Sequence, residues 1–251
     1  MSFYHFHIPK TGGSYIENNL ILSGIENTNI KKYSIDYRYL FDKPNLDMVL
    51  NSDFIHGHFG IEPLLINPDI KSFTTLRNPV SRVISHFAML YFPIRQKDSL
   101  RVFDEWLLDD SKNYILKNNL QARFLTNKSL DDIKMDGREI KESEDPLEMK
   151  FFWGTGFGID TKEPTYDNAK NILDSMVLVG KMEEMDVFMD NLYKLINDRF
   201  NTNLIYSKHP NKGDKKQTSQ LSKYIQDNIT DSQIQKILNL NDIDIRLWNS
   251  I

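Results

Sequence analysis

The stretch FYHFHIPKTGGSYIENNLIL, residues 3–22, decides how this chain is read. Residues 3–8 are short, apolar and aromatic, the composition of a buried strand. Pro9, Lys10, Thr11, Gly12, Gly13 and Ser14 then make a turn, and an apolar-periodic stretch begins at Tyr15. A strand, a glycine turn and a helix in that order outline an anion cradle. The glycines let backbone N–H groups approach an oxyanion, the helix contributes its positive end, and Lys10 supplies a mobile charge. The bland alternative is a tight strand-to-helix turn with no ligand. The lysine precedes the glycine pair, so the loop is not the G-x-x-x-x-G-K-S/T loop of nucleoside triphosphatases.

Outward from this stretch, the same alternation continues. Residues 53–58 and 72–76 predict strands, the second followed by Arg77, Asn78 and Pro79. Pro79 suits a first helical turn with Asn78 as its cap. Over residues 80–91, Val83, Ile84, Phe87 and Leu90 recur at helical spacing, with Arg82, Ser85 and His86 off the most apolar line. Residues 103–125 predict a helix, 127–165 a charged, turn-rich surface excursion, and 175–180 (SMVLVG) a buried parallel strand. Residues 185–200 predict a helix. A polar loop over 207–216 leads to closing helical segments through Leu221, Ile225, Ile234, Ile237, Leu238 and Leu247. Strand-helix alternation predicts an α/β fold: one domain over 1–251, a mostly parallel sheet flanked by helices, with ligands beyond the carboxyl ends of the strands.

Composition narrows the function classes. The chain has 251 residues, 40% of them hydrophobic, a formal net charge of -4 and no cysteine. Nucleic-acid wrapping is disfavoured, because such domains carry a basic excess. Without thiols, disulfides, thiolate nucleophiles and cysteine zinc sites are excluded. No apolar window is long enough for a membrane span, and no secretory signal precedes the first strand, so a cytoplasmic location is expected.

Two further motifs carry chemistry. In TTLRNPVSRVISHF, residues 74–87, Arg77 leaves a strand end where its planar fork can grip a phosphate, and Ser85 lies two helical turns beyond the cap. Paired with the glycine loop, this suggests two separated phosphate grips. In HGHFGIEPL, from residue 56, strand periodicity puts His56 and His58 on one face, roughly 7 Å apart. An imidazole titrates near neutrality and can take a hydroxyl proton. His5 and His7 form a second same-face pair, so four imidazoles converging on a metal is the alternative; for His5 and His7 a core role is favoured. His86 is expected beside Arg82 as a structural residue. GTGFG at 154–158 lacks the strand and helix of a dinucleotide fingerprint and reads as a loop. Glu183, Glu184 and Asp186 read as capping the helix they open. Phe151, Phe152 and Trp153 read as packing, with an acceptor groove as the alternative.

PKTGGS resembles the 5′-phosphosulfate loop of sulfotransferases that use 3′-phosphoadenosine 5′-phosphosulfate (PAPS), and R-N-P-x-x-R-x-x-S-x-F resembles their 3′-phosphate motif. The likeness is to the branch with heparan sulfate 2-O-sulfotransferase and related bacterial enzymes. HGHFGIEPL, NLQARFL from Asn119 and LVGKMEEMDVFMDNL from Leu178 match in order and spacing. The resemblance implies a P-loop-like phosphate site and PAPS as donor, with no metal. Lys10, Thr11, Gly12, Gly13 and Ser14 would hold the 5′-phosphate and sulfate, and Arg77 and Ser85 the 3′-phosphate. His58 would be the base, His56 would assist it, and Lys212 would lie in a lysine-bearing segment that closes on the cofactor. The acceptor would be a hydroxyl on a carbohydrate or small molecule. The branch's animal members carry a membrane anchor and cysteines that this chain lacks, so their location and glycosaminoglycan substrate are not implied. A nucleotide-dependent kinase and a non-catalytic nucleotide- or glycan-binding protein remain the alternatives.

Overall fold

The computed structural model describes residues 2–25, 28–34, 50–91, 96–109, 114–126, 163–208 and 215–251. Among these residues, five strands form one sheet: β1 (Phe3–Phe6), β2 (Lys32–Ser34), β3 (Phe54–Gly57), β4 (Lys71–Leu76) and β5 (Leu178–Lys181). Their order is β2-β3-β1-β4-β5 and every pairing is parallel. All four residues of β1 are buried, as a central strand covered on both faces requires.

Strand alternation sorts the core into two layers. Phe3, Phe54 and Phe73 face helix α1 (Gly13–Leu22), through Ile16 and Leu20, together with Phe188, Leu192 and Ile196. Tyr4, Phe6, Ile55 and Leu76 face the opposite layer, with Val83, Phe87, Phe103 and Trp106. The helices in chain order are α2 (Glu62–Ile66), α3 (Pro79–Tyr91), α4 (Gln96–Leu108), α5 (Tyr114–Lys117), α6 (Leu120–Phe124), α7 (Tyr166–Asp174), α8 (Met185–Phe200), α9 (Lys215–Asn228), α10 (Asp231–Leu240) and α11 (Asp242–Asn249).

The α/β fold read from the sequence is the one observed. Its strands at 3–8, 53–58 and 72–76 appear within a residue or two of their expected ends, and the Asn78 carboxamide caps α3, accepting from the N–H groups of Val80 (3.1 Å) and Ser81 (3.3 Å). Two expectations need correction. The single helix over 103–125 is broken, because Asn119 takes a left-handed conformation (φ 43°) and turns the chain between α5 and α6. Its carboxamide oxygen then accepts from the N–H groups of Ile243 (3.0 Å) and Asp244 (3.1 Å) at the start of α11. The strand expected at 175–180 starts at Leu178 and is half-buried, since among the described residues it is an edge strand that pairs only with β4. β2, α2 and α7 were not anticipated. The excursion over 127–162, with Phe151, Phe152, Trp153 and GTGFG, lies outside the described residues, as does Lys212. Among the described residues, no helix is long and apolar enough to cross a membrane.

The strand order has one consequence for ligand binding. From β1 the chain moves toward β2 on one side of the sheet, whereas from β4 it moves toward β5 on the other. The connections diverge between adjacent strands β1 and β4, and such a divergence opens a crevice beyond their carboxyl ends. The loop after β1 is PKTGGS, and the residues after β4 are Arg77, Asn78 and Pro79.

Candidate functional site

The loop after β1 is held by its neighbours in a shape only glycine permits. Gly12 stands before α1 with φ 104°, a left-handed geometry hostile to side chains. A Cβ there would sit 2.4 Å from Met185 Cε, and one on Gly13 would sit 1.9 Å from His7 Nε2. The glycines thus admit two side chains of the protein itself. Among the described residues, the backbone N–H groups of Gly12, Gly13 and Ser14 have no acceptor, the ordinary state of a helix N-terminus open to an anion. The Thr11 hydroxyl is turned inward and donates to Ile8 O at 2.8 Å, so only its main chain remains for a ligand.

Side chains from β4 lock the loop. The Thr75 hydroxyl donates to Thr11 O (2.8 Å) and that of Thr74 to Phe6 O (2.7 Å). Arg77 Nη1 donates to Lys10 O at 3.1 Å. The arginine motif and the glycine loop are therefore in direct contact. Lys10 itself has φ 70°, and its charge is felt by His7, His58 and His86, lowering the pKa of each.

The histidines divide into two kinds. His5 and His56 are register partners on β1 and β3, and their Nδ1 atoms lie 2.8 Å apart. One proton must lie between those nitrogens. His56 Nε2 is 3.5 Å from Glu17 Oε2, an ion-pair distance at which no hydrogen bond forms. Both imidazoles are buried. The core role favoured for His5 holds, and His56 faces Glu17 inside the fold. His7 is also buried, stacked on His58 with ring centres 4.0 Å apart, and its Nδ1 has no hydrogen-bond partner among the described residues.

His58, half-buried, is oriented differently. Its Nδ1 lies 2.7 Å from His7 O. A carbonyl can only accept, so Nδ1 bears the proton and Nε2 keeps its lone pair. Burial, with the charges of His56 and Lys10, lowers its pKa to about 4, against the rise given by the His7 carbonyl and Glu17. The ring is thus neutral near pH 7 and its basic atom is defined. Among the described residues no group of three or more His, Asp or Glu side chains is arranged to hold a metal ion.

Around Arg77 the structure adds residues whose roles the sequence did not disclose. Gln121 Oε1 accepts from Arg77 N (2.8 Å) while Gln121 Nε2 donates to Arg77 O (3.0 Å). Glu183 does not cap the helix it precedes. Its Oε1 accepts from Asn78 N (2.9 Å) and its Oε2 from Trp248 Nε1 (3.2 Å), placing a carboxylate beside Arg77. Glu184, at the N-cap of α8, makes no side-chain cap bond, and Asp186 in its first turn instead accepts from Tyr206 (2.7 Å) and Lys208 (2.6 Å). Ser85 is half-buried on α3, and no hydrogen bond links it to Arg77 among the described residues. Arg82 and His86 are fully buried, with Arg82 Nη1 3.5 Å from His86 Nδ1 and Nη2 donating to Leu116 O at 2.9 Å. Their place off the most apolar line thus faces the core. The available signal for Gln121 was a lone polar residue between Leu120 and Ala122. No protein-family model matches the chain, and no curated protein matches it.

Proposed function

We propose that this protein transfers a sulfuryl group from PAPS to an acceptor hydroxyl on a carbohydrate or small molecule. One observation carries the reading. At the divergence of β1 and β4, open N–H groups at a glycine turn, the Lys10 and Arg77 cations and a neutral imidazole with a defined lone pair come together. Lys10 and the N–H groups of Gly12, Gly13 and Ser14 would hold the 5′-phosphosulfate; Arg77, with Ser85, would hold the 3′-phosphate. A guanidinium has five N–H donors, so the bond from Arg77 to Lys10 O leaves capacity for an anion.

In this reading the acceptor oxygen bonds to sulfur as the bond from sulfur to the bridging phosphate oxygen breaks. His58 Nε2 takes the acceptor proton. Lys10 and the loop N–H groups stabilise the charge left on the 5′-phosphate of adenosine 3′,5′-bisphosphate. A pKa of about 4 makes His58 a weak base in the free protein. Anionic donor nearby raises it toward the working pH, so the base strengthens when the substrate is present.

The test is transfer from radiolabelled PAPS to a panel of oligosaccharides and small hydroxyl compounds. Transfer is expected from the wild type and not from His58→Ala, which should still bind adenosine 3′,5′-bisphosphate. Nucleotide binding with no transfer to any acceptor would favour the non-catalytic reading, and magnesium-dependent transfer from ATP would favour a kinase.

A further inference from the structure

We propose that Gln121 is a positioning residue that aims Arg77, and that it thereby sets the preference for a nucleotide carrying a 3′-phosphate. The inference rests on the reading of Arg77 given above.

Gln121 extends the sheet by one side chain. β4 ends at Leu76, and a parallel neighbour would next have bonded the peptide groups of Arg77. The carboxamide supplies both halves of that pairing, accepting from Arg77 N and donating to Arg77 O. Gln121 is fully buried and so cannot exchange these bonds for water. Its own main chain is anchored in turn. The carboxylate of Asp244, also fully buried, accepts from the N–H groups of Gln121 (3.1 Å) and Ala122 (2.8 Å). Asp244 N donates to Asn119 Oδ1 at 3.1 Å. A chain of buried polar contacts therefore runs from α11 through α6 to Arg77, whose side chain reaches the glycine loop.

The side chain of Arg77 is only half-buried, whereas its backbone is clamped on both sides. Without the clamp, the peptide group before its Cα loses its acceptor and the one after it keeps only the Asn78 N–H bond to Glu183, so the guanidinium holds the 3.1 Å contact to Lys10 O less firmly. A ligand phosphate at Arg77 then has to order the arginine as well as bind it, and that entropy is charged to the 3′-phosphate alone.

The experiment is calorimetric titration of wild type, Gln121→Ala and Gln121→Glu with adenosine 3′,5′-bisphosphate and with adenosine 5′-monophosphate. The wild type should prefer the bisphosphate. In Gln121→Ala this preference should fall about tenfold, the scale of ordering one long side chain on binding, with affinity for the monophosphate nearly unchanged. Gln121→Glu keeps the acceptor and loses the donor, so it should fall between the two, and it replaces the alanine variant if that does not fold. An unchanged preference in either variant, or equal loss for both nucleotides, overturns the positioning role. Absence of any preference in the wild type overturns the sulfotransferase reading itself, and the two failures are thus told apart.

Discussion

Acid should destabilise this protein through its histidines, and His58 allows the size of the effect to be worked out. Its pKa is about 4 in the folded state against 6.5 for the unperturbed group. Between those values the unfolded chain binds a proton that the folded chain refuses. Stability therefore falls as pH drops below the unfolded value, and this group adds no further loss once pH is below the folded one. From pH 7 to pH 5 the loss is about 2 kcal/mol from His58 alone. His7 and His86, also lowered by burial and neighbouring cations, act with the same sign. Asp244, whose burial raises its pKa, acts with the opposite sign. The assay is denaturant unfolding of wild type and His58→Asn across this range, the asparagine keeping a donor for His7 O. Because the other groups are common to both proteins, the wild type should lose about 2 kcal/mol more than the variant. Equal losses would refute the assignment of a neutral imidazole at position 58.

Two other outcomes follow from the same geometry. Gly13→Ala drives a methyl to 1.9 Å from the His7 ring, which is hemmed in by His5, His56 and His58 and cannot retreat; thermal unfolding should show a loss of about 3 kcal/mol, and a fully stable variant would show that the ring is free to move. Asp244→Ala leaves Arg82 without its carboxylate and the Gln121 and Ala122 N–H groups without acceptors, so denaturant unfolding should report a cost of about 3–5 kcal/mol, whereas a cost under about 1 kcal/mol would remove it from the network.

The parts legible in advance were those written in local pattern. Aromatic residues in a short run gave β1, and an Asn-Pro pair before an apolar repeat gave the start of α3. Two glycines after a strand gave a loop, and its left-handed Gly12 is what such a turn demands. Local pattern misled where a residue serves a distant partner. Asn119 looked helical because Leu116, Leu120 and Phe124 recur around it at helical spacing, yet its side chain belongs to α11. Glu183 looked like the opening of its own helix, yet its carboxylate serves Asn78 and Trp248.

The sequence by itself determined the α/β alternation, the glycine turn after β1, the Asn-Pro helix start after β4 and the set of histidines, because periodicity, turn chemistry and side-chain type act over a few residues. Tertiary structure alone decided which nitrogen of His58 keeps its lone pair, since that depends on the His7 carbonyl being 2.7 Å from His58 Nδ1. It also decided that Arg77 is aimed by a glutamine 44 residues away in the chain. The physical reason is common to both: tautomer and direction are set by hydrogen-bond partners across the sheet, and one-dimensional spacing does not encode them.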